Sequence, residues 1–224
     1  MSIQVIAMLT YNDQTVPDAL SVFEANKHAN TNCWGFKDIG ITTEDAVRLV
    51  AAMKAAGKTT FLEPLLEDEA SCLNAANMAV HCGFDCVVSM VYNPEVANIL
   101  KAGNVSYLPT CGHREGLPRM LYGTTDEIVA DAKDLIMNKG MEGVCLSSYR
   151  YVDGDPESMS LEFKKRIQAK LIVSGGINDY HRLDFVKKLN PWGFTIGSAL
   201  FDHKFGKELS IAEQLNKIQE YIGG

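Results

Sequence analysis

Lys37 ends a short apolar run, Cys33-Trp34-Gly35-Phe36, and Glu63 ends another, Thr59 to Leu62, immediately before Pro64. A lysine in that position has a chemistry that surface lysines lack. Desolvation in an apolar mouth favours the neutral amine, which attacks a carbonyl to form an imine. A half-buried carboxylate one strand away suits the accompanying proton transfers. The same two residues could instead form an ion pair that plugs the mouth. Asp38, a further candidate acid, follows Lys37 directly. Strand alternation sends the two side chains to opposite faces, and Lys37 is assigned the inner one.

Two later runs bear on substrate binding. Lys170-Leu171-Ile172-Val173 breaks into Ser174-Gly175-Gly176, and Trp192-Gly193-Phe194-Thr195-Ile196 breaks into Gly197-Ser198. Adjacent strands ending in Gly-Gly and Gly-Ser expose backbone N–H groups with no side chain in the way, which is what a phosphate dianion requires. The plainer reading is that these glycines only turn the chain. The pair resembles the phosphate cradle after strands seven and eight of the phosphate-binding TIM barrels. These include ribulose-phosphate epimerases, orotidine phosphate decarboxylase, keto-deoxy-phosphogluconate-type aldolases and the isomerases of histidine and tryptophan synthesis. The resemblance covers the last quarter of the chain. It implies a phosphorylated small-molecule substrate held by Gly175, Gly176, Gly197 and Ser198. Phe36-Lys37-Asp38-Ile39 also looks like the lysine strand of orotidine phosphate decarboxylase and its keto-gulonate-phosphate relatives, whose pattern is D-x-K-x-x-D. Gly35 and Gly40 stand where that pattern has its carboxylates.

These residues need a scaffold, and the rest of the chain supplies its rhythm. Apolar strands read at Ile3 to Leu9, Cys33 to Asp38, Thr59 to Glu63, Asp85 to Val91, Val105 to Thr110, Gly143 to Ser148, Leu171 to Ser174 and Phe194 to Gly197. Amphipathic helices read at 17–27, 43–56, 67–82, 94–102, 125–140, 155–167, 179–189 and 211–222, with Thr43 as a cap and Gly57, Gly83 and Gly103 as stops. Eight units at a spacing of roughly 27 residues predict an α/β (β/α)8 TIM barrel, one domain over residues 1–224. Strands apolar on both faces fit a parallel sheet under helices. An open doubly wound sheet would carry a glycine-rich loop after strand one, and Thr10-Tyr11-Asn12-Asp13 contains no glycine.

In such a barrel the active site lies at the C-terminal ends of the strands. Beyond Lys37, Asp38, Glu63 and the four cradle residues, that rule selects Thr10 and Asn12 after strand one and Ser89 and Tyr92 with strand four. It also selects Thr110, His113 and Arg114 after strand five, and Ser147, Ser148 and Arg150 after strand six. The stretch Cys111 to Gly123 is long for such a connection and reads as a lid. His113 is placed among the catalytic groups, with Arg114 reaching a substrate carboxylate or hydroxyl; an ordinary solvated loop is the alternative. Arg150 offers a bidentate fork to an anion.

Composition narrows the classes. The 224 residues are 46% hydrophobic and 22% charged, with a net charge of −7 and no basic patch interleaved with aromatics. Nucleic acid and anionic membranes are therefore not expected partners. No apolar run is long enough to span a bilayer. The N-terminus shows no secretion signal, so the expected location is cytoplasmic. The six cysteines scatter through apolar segments and read as reduced and buried. A zinc site at Cys72, His81, Cys82 and Cys86 is not favoured, because Cys82 and Cys86 do not form a knuckle. No cofactor is expected; a divalent ion on Glu63, Asp38 and His113 is conceivable but unsupported by spacing. The resemblance further implies a possible homodimer. The leading functional expectation is an aldolase-type lyase on a phosphorylated sugar or sugar acid, with Lys37 forming the imine. The alternatives are an epimerase, isomerase or decarboxylase working through an enediolate, and a noncatalytic phosphometabolite-binding barrel.

Overall fold

The computed structural model describes residues 2–223. Eight parallel strands form the central sheet: β1 (Gln4–Met8), β2 (Cys33–Phe36), β3 (Thr59–Leu62), β4 (Cys86–Val88), β5 (Ser106–Leu108), β6 (Gly143–Leu146), β7 (Lys170–Val173) and β8 (Gly193–Ile196). Their order is β6-β7-β8-β1-β2-β3-β4-β5. The chain just beyond β5 closes the ring onto β6. Cys145 N–H donates to Pro109 O at 2.8 Å and Cys111 N–H to Cys145 O at 3.1 Å, while Thr110 bridges Cys145 in parallel register. The molecule is a single (β/α)8 barrel.

Seven helices alternate with the strands: α1 (Ala19–Asn26), α2 (Thr43–Ala55), α3 (Glu69–Cys82), α4 (Pro94–Ala102), α5 (Thr125–Met137), α6 (Pro156–Arg166) and α7 (Tyr180–Leu189). A four-residue helix, α8 (Ser198–Phe201), precedes the last helix, α9 (Ile211–Gly223). Capping chemistry sets the boundaries. The side chains of Asp68, Asn93, Asp155 and Asp179 each accept a backbone N–H at the start of their helix. Thr124 and Glu127 complete a reciprocal capping box at α5. At α2 the cap is Thr42 rather than the expected Thr43, because Thr42 is the extended residue whose oxygen accepts Asp45 N–H. None of the described helices is long and apolar enough to cross a membrane.

Two cores follow from strand alternation. Ile6, Met8, Cys33, Phe61, Cys86, Val88, Leu108, Cys145 and Ile172 point inward and fill the lower barrel. The alternate residues, such as Val5, Ala7, Trp34, Leu62, Val87 and Val173, pack outward against the helices. All six cysteines are free and buried.

Four local features depart from the sequence reading, and all lie at the top of the barrel. Thr10–Tyr11 and Gln14–Thr15 form an antiparallel hairpin, as do His113–Glu115 and Met120–Tyr122. Ser148–Arg150 is a 3-10 turn, and α8 begins directly after the glycine that ends β8. Segments of two to four residues are too short to show a hydrophobic period, which is why only the elements below them were readable.

Candidate active site

The hairpin after β1 builds one wall of the site. Asn12 and Asp13 both have positive φ, 49° and 61°, the conformation of a two-residue hairpin turn that Asn and Asp tolerate better than other side chains. Thr15 fastens this hairpin to the end of β2: its Oγ1 donates to Lys37 O at 2.7 Å and accepts Lys37 N–H at 3.0 Å. Gly40 makes room for the same contact, since a Cβ there would lie 2.6 Å from Thr15 O. Asp13 is thereby folded back over the mouth.

Lys37 faces the lumen, 7% exposed. Its Nζ lies 3.6 Å from Glu63 Oε1 and 3.5 Å from Asp13 Oδ1. The apolar mouth expected around this lysine is therefore not what the fold provides, because the hairpin delivers a second carboxylate. Asp38 points the other way. Its Oδ1 accepts Leu65 N–H at 3.0 Å, and burial pushes its carboxyl above the ordinary range despite that bond. It anchors the β3–α3 loop and lines neither cavity of the mouth. Its place among the catalytic groups is corrected accordingly. The first aspartate of the decarboxylase pattern has no room here: a Cβ on Gly35 would lie 2.5 Å from Phe61 O and 2.9 Å from Met8 Sδ.

Across the mouth, Gly175 and Gly176 have φ of 75° and 82°, and a Cβ on Gly176 would lie 2.8 Å from Tyr149 Cβ. Gly197 passes so close to β1 that a Cβ would meet Thr10 Oγ1 at 2.5 Å. Gly175 N–H donates to Thr195 Oγ1 at 3.3 Å, and Ser198 Oγ accepts Asn12 N–H at 3.2 Å. Arg182 donates to Gly176 O, and its guanidinium lies 4.2 Å above the Tyr149 ring. A cavity of about 400 Å³ joins this glycine wall to Lys37 and Glu63 and is also lined by Thr10 and Arg150. Asn12 contributes its backbone N–H, and its side chain lies outside the cavity lining.

The hairpin after β5 splits its residues by alternation. Arg114 turns inward, its side chain 7% exposed, donating to Glu67, to Ser89 O at 2.6 Å and to Ser147 Oγ at 3.4 Å. His113 turns outward, 66% exposed, and bonds Glu115 at 2.7 Å. It does not reach the barrel mouth, so the catalytic role expected of it has no geometric basis. With Thr110 and Tyr92 it lines a separate pocket of about 560 Å³ on the flank of the barrel. Ser148 Oγ is buried without a partner and lines neither mouth cavity. Ser147 bonds Ser174 at 3.2 Å, and Ser89 adopts φ 59° beneath Arg114.

Sequence reasoning passed over Asp13, Glu67, Arg119, Arg182, Ser174 and Thr195. Asn12-Asp13 carried a turn signal that could have placed Asp13. Ser174 and Thr195 were recoverable by counting two residues up from Ile172 and Gly193 along each inward row. Glu67, Arg119 and Arg182 lie on a loop, a hairpin and a helix, where spacing gives no such count.

No protein-family model matches the sequence, and no curated protein matches it by sequence. Solved structures do resemble it. The tryptophan synthase α chain of Legionella pneumophila superimposes with a TM-score of 0.69 at 14% identity, covering 99% of this chain and 92% of that one. A 4-hydroxy-2-oxoglutarate/2-dehydro-3-deoxyphosphogluconate aldolase gives 0.61 at 15% identity over 98% and 93%. Phosphoribosyl anthranilate isomerase, in complex with a reduced deoxyribulose 5-phosphate compound, gives 0.57 at 15% over 98% and 96%. At these identities the likeness establishes the barrel fold.

Proposed function

We propose that this barrel is an enzyme acting on a small phosphorylated sugar or sugar acid at the carbon next to a carbonyl. One observation carries the reading. A single cavity of about 400 Å³ has the Lys37–Glu63 pair on one side and Gly175, Gly176, Gly197 and Ser198 on the other. The glycine wall takes the phosphate with Arg150 beside it; Gly175 N–H already donates to Thr195 Oγ1, which leaves the N–H groups of Gly176, Gly197 and Ser198 to supply the bonds, and Arg150 forms no ion pair among the described residues. The reacting carbons then lie over Lys37 and Glu63. Glu63 removes the proton next to the carbonyl. The C–H electron pair becomes the enediolate double bond, and the carbonyl oxygen takes up negative charge against the Lys37 ammonium. Reprotonation of the same carbon on its opposite face, from an acid other than Glu63, completes an epimerisation; return of the proton by Glu63 to the neighbouring carbon, with the hydroxyl proton passing to the former carbonyl oxygen, completes an isomerisation.

Asp13 supports this route: it sets a second carboxylate 3.5 Å from the Lys37 amine, where an imine-forming lysine is activated by an apolar surround. Imine formation by an aldolase-type lyase is the second reading. It is supported by the burial of Lys37 next to an acid able to move its protons. The structural neighbours include both an aldolase and an isomerase, so they do not choose between the two.

Thermal unfolding against matched phosphorylated and unphosphorylated sugars and sugar acids tests the reading. A ligand at about a hundred times its dissociation constant adds roughly 2.7 kcal/mol to the native state. Shifts confined to the phosphorylated members are expected; equal shifts, or none, would remove the premise. Borohydride trapping with the best ligand then separates the routes. Turnover without an adduct on Lys37 supports the enediolate, and an adduct supports the lyase.

A further inference from the structure

The mouth has a second, smaller compartment that the phosphate reading leaves unused. A cavity of about 60 Å³ opens beside the large one, sharing Asp13, Lys37, Glu63, Arg150 and Gly175 with it. Its remaining lining comes from Ser89, Arg114, Arg119, Ser147 and Ser174, with Pro64, Leu65 and Pro118 as its apolar part. Two features of this lining leave polar groups for a ligand to satisfy. The Nε atoms of Arg114 and Arg119 are buried without a hydrogen-bond partner, and Ser89, 2% exposed, has a buried hydroxyl set against the Cys145 thiol, a weak partner. Buried donors in a folded protein are rarely left in that state.

The charge count points the same way. Arg114 and Arg119 share one carboxylate, Glu67; Arg119 Nε approaches it at 3.4 Å without hydrogen-bond alignment. That trio carries one excess positive charge, and Arg150 adds another. On the opposite wall Lys37 is outnumbered by Asp13 and Glu63. The excess cation therefore lies at the arginine end. About 10–15 Å³ of cavity volume holds one water, so a cavity of about 60 Å³ is small but admits a planar carboxylate.

We infer that this compartment binds the carboxylate of the substrate. It thereby fixes the substrate class as a phosphorylated keto or hydroxy acid, held with its phosphate on the glycines, its carboxylate on Arg114, Arg119 and Ser89, and its reacting carbons over Lys37. This rests on the phosphate reading above and narrows it. Sugar phosphates ending in an alcohol would leave the arginine compartment unpaired and bind more weakly.

The test measures dissociation constants by calorimetry for acid and alcohol pairs of three, four and five carbons: 3-phosphoglycerate against glycerol 3-phosphate, 4-phosphoerythronate against erythritol 4-phosphate, and 5-phosphoribonate against ribitol 5-phosphate. Inorganic phosphate reports anion binding at the mouth without a carboxylate. In at least one pair the acid should bind about tenfold more tightly or better, the worth of one charge-assisted hydrogen bond. R119Q and S89A should each shrink that advantage severalfold while leaving the affinity for inorganic phosphate unchanged. R119Q alters a side chain on the hairpin roof, so the test does not depend on replacing the more enclosed Arg114. Equal binding within all three pairs, with phosphate still bound, would overturn the carboxylate site and leave the phosphate reading standing. An acid preference unaffected in both variants would overturn the assignment to this compartment. No binding of phosphate or of any pair would overturn both readings together.

Discussion

The lower and upper halves of the barrel are built from the same inward-facing rows, yet their chemistry is opposite. Along β2 the row runs Cys33, Gly35, Lys37; along β3, Phe61 then Glu63; along β6, Cys145 then Ser147; along β7, Ile172 then Ser174. One step of two residues, roughly 7 Å along a strand, converts a dry core into a charged mouth. The lower half has side chains closing on each other across the lumen, with the rings of Phe61 on β3 and Trp192 at the entry to β8 6.3 Å apart by centroid. The upper half has two cavities and holds buried polar atoms without hydrogen-bond partners on Ser89, Thr110, Arg114, Arg119 and Ser148. The floor is fully packed and the mouth is not. Packing completeness is what separates the stabilising part of a strand from the part free to bind and react.

Substitutions one step apart test that division. K37M should have the largest effect, reducing turnover by about 10³-fold, the combined scale of a lost electrostatic stabiliser and a disturbed proton-transfer group. Circular dichroism should show a folded protein, because Asp13, with 42% of its side chain exposed, can take its lost charge partner from water. F61A, two residues below Glu63, should do the reverse. Emptying a site that is 2% exposed costs about 3–5 kcal/mol in urea unfolding, while the fraction that remains folded keeps its specific activity. If F61A were harmless to stability, or K37M unfolded the chain, the floor and mouth would not be separate in function.

Much of this contrast was legible before the structure. The eight strands and their helices follow from apolar runs, the opposed directions of Lys37 and Asp38 follow from a period of two, and α4 was read to its observed limits, Pro94–Ala102. The mouth was harder because its groups are positioned by turns. Asp13 reaches Lys37 only because Asn12 and Asp13 both take positive φ. Arg114 and His113 are neighbours in sequence, but a three-residue strand sends one inside and the other to solvent. Nothing in their residue types announced which would turn in. Long-range partners such as Glu67 for Arg114 are fixed by tertiary packing, which no local pattern encodes.

A third substitution tests the glycine side of the mouth. G197A should weaken binding of inorganic phosphate or a phosphorylated ligand by about ten- to a hundredfold, at a stability cost of about 1–3 kcal/mol. The added methyl would sit 2.5 Å from Thr10 Oγ1 and 3.1 Å from Thr10 O, so β8 and the loop after β1 must part. Calorimetry with phosphate measures the first effect and thermal unfolding the second. A stability loss with phosphate affinity intact would leave Gly197 as a packing glycine and move the anion site elsewhere in the mouth.

The smallest effect is expected at Asp38, where the contrast is between the inside and the outside of one strand end. Its carboxyl is held above the ordinary range chiefly by burial, which outweighs the Leu65 N–H, the neighbouring backbone donors and the pull of Lys37. The folded protein therefore binds this proton more tightly than the unfolded chain, whose aspartates titrate near about 3.9. Stability from this group is present below that value and is lost as pH rises through the higher folded one. At neutral pH the buried charge is a net burden. D38N retains a carbonyl oxygen for Leu65 N–H and removes the charge, so it should raise the urea midpoint at pH 7. Its advantage over the parent should shrink as the pH is lowered toward 4. A D38N protein less stable than the parent at every pH would mean that Asp38 is used as a charge. The outward face of β2 would then share the electrostatic character of the inward one.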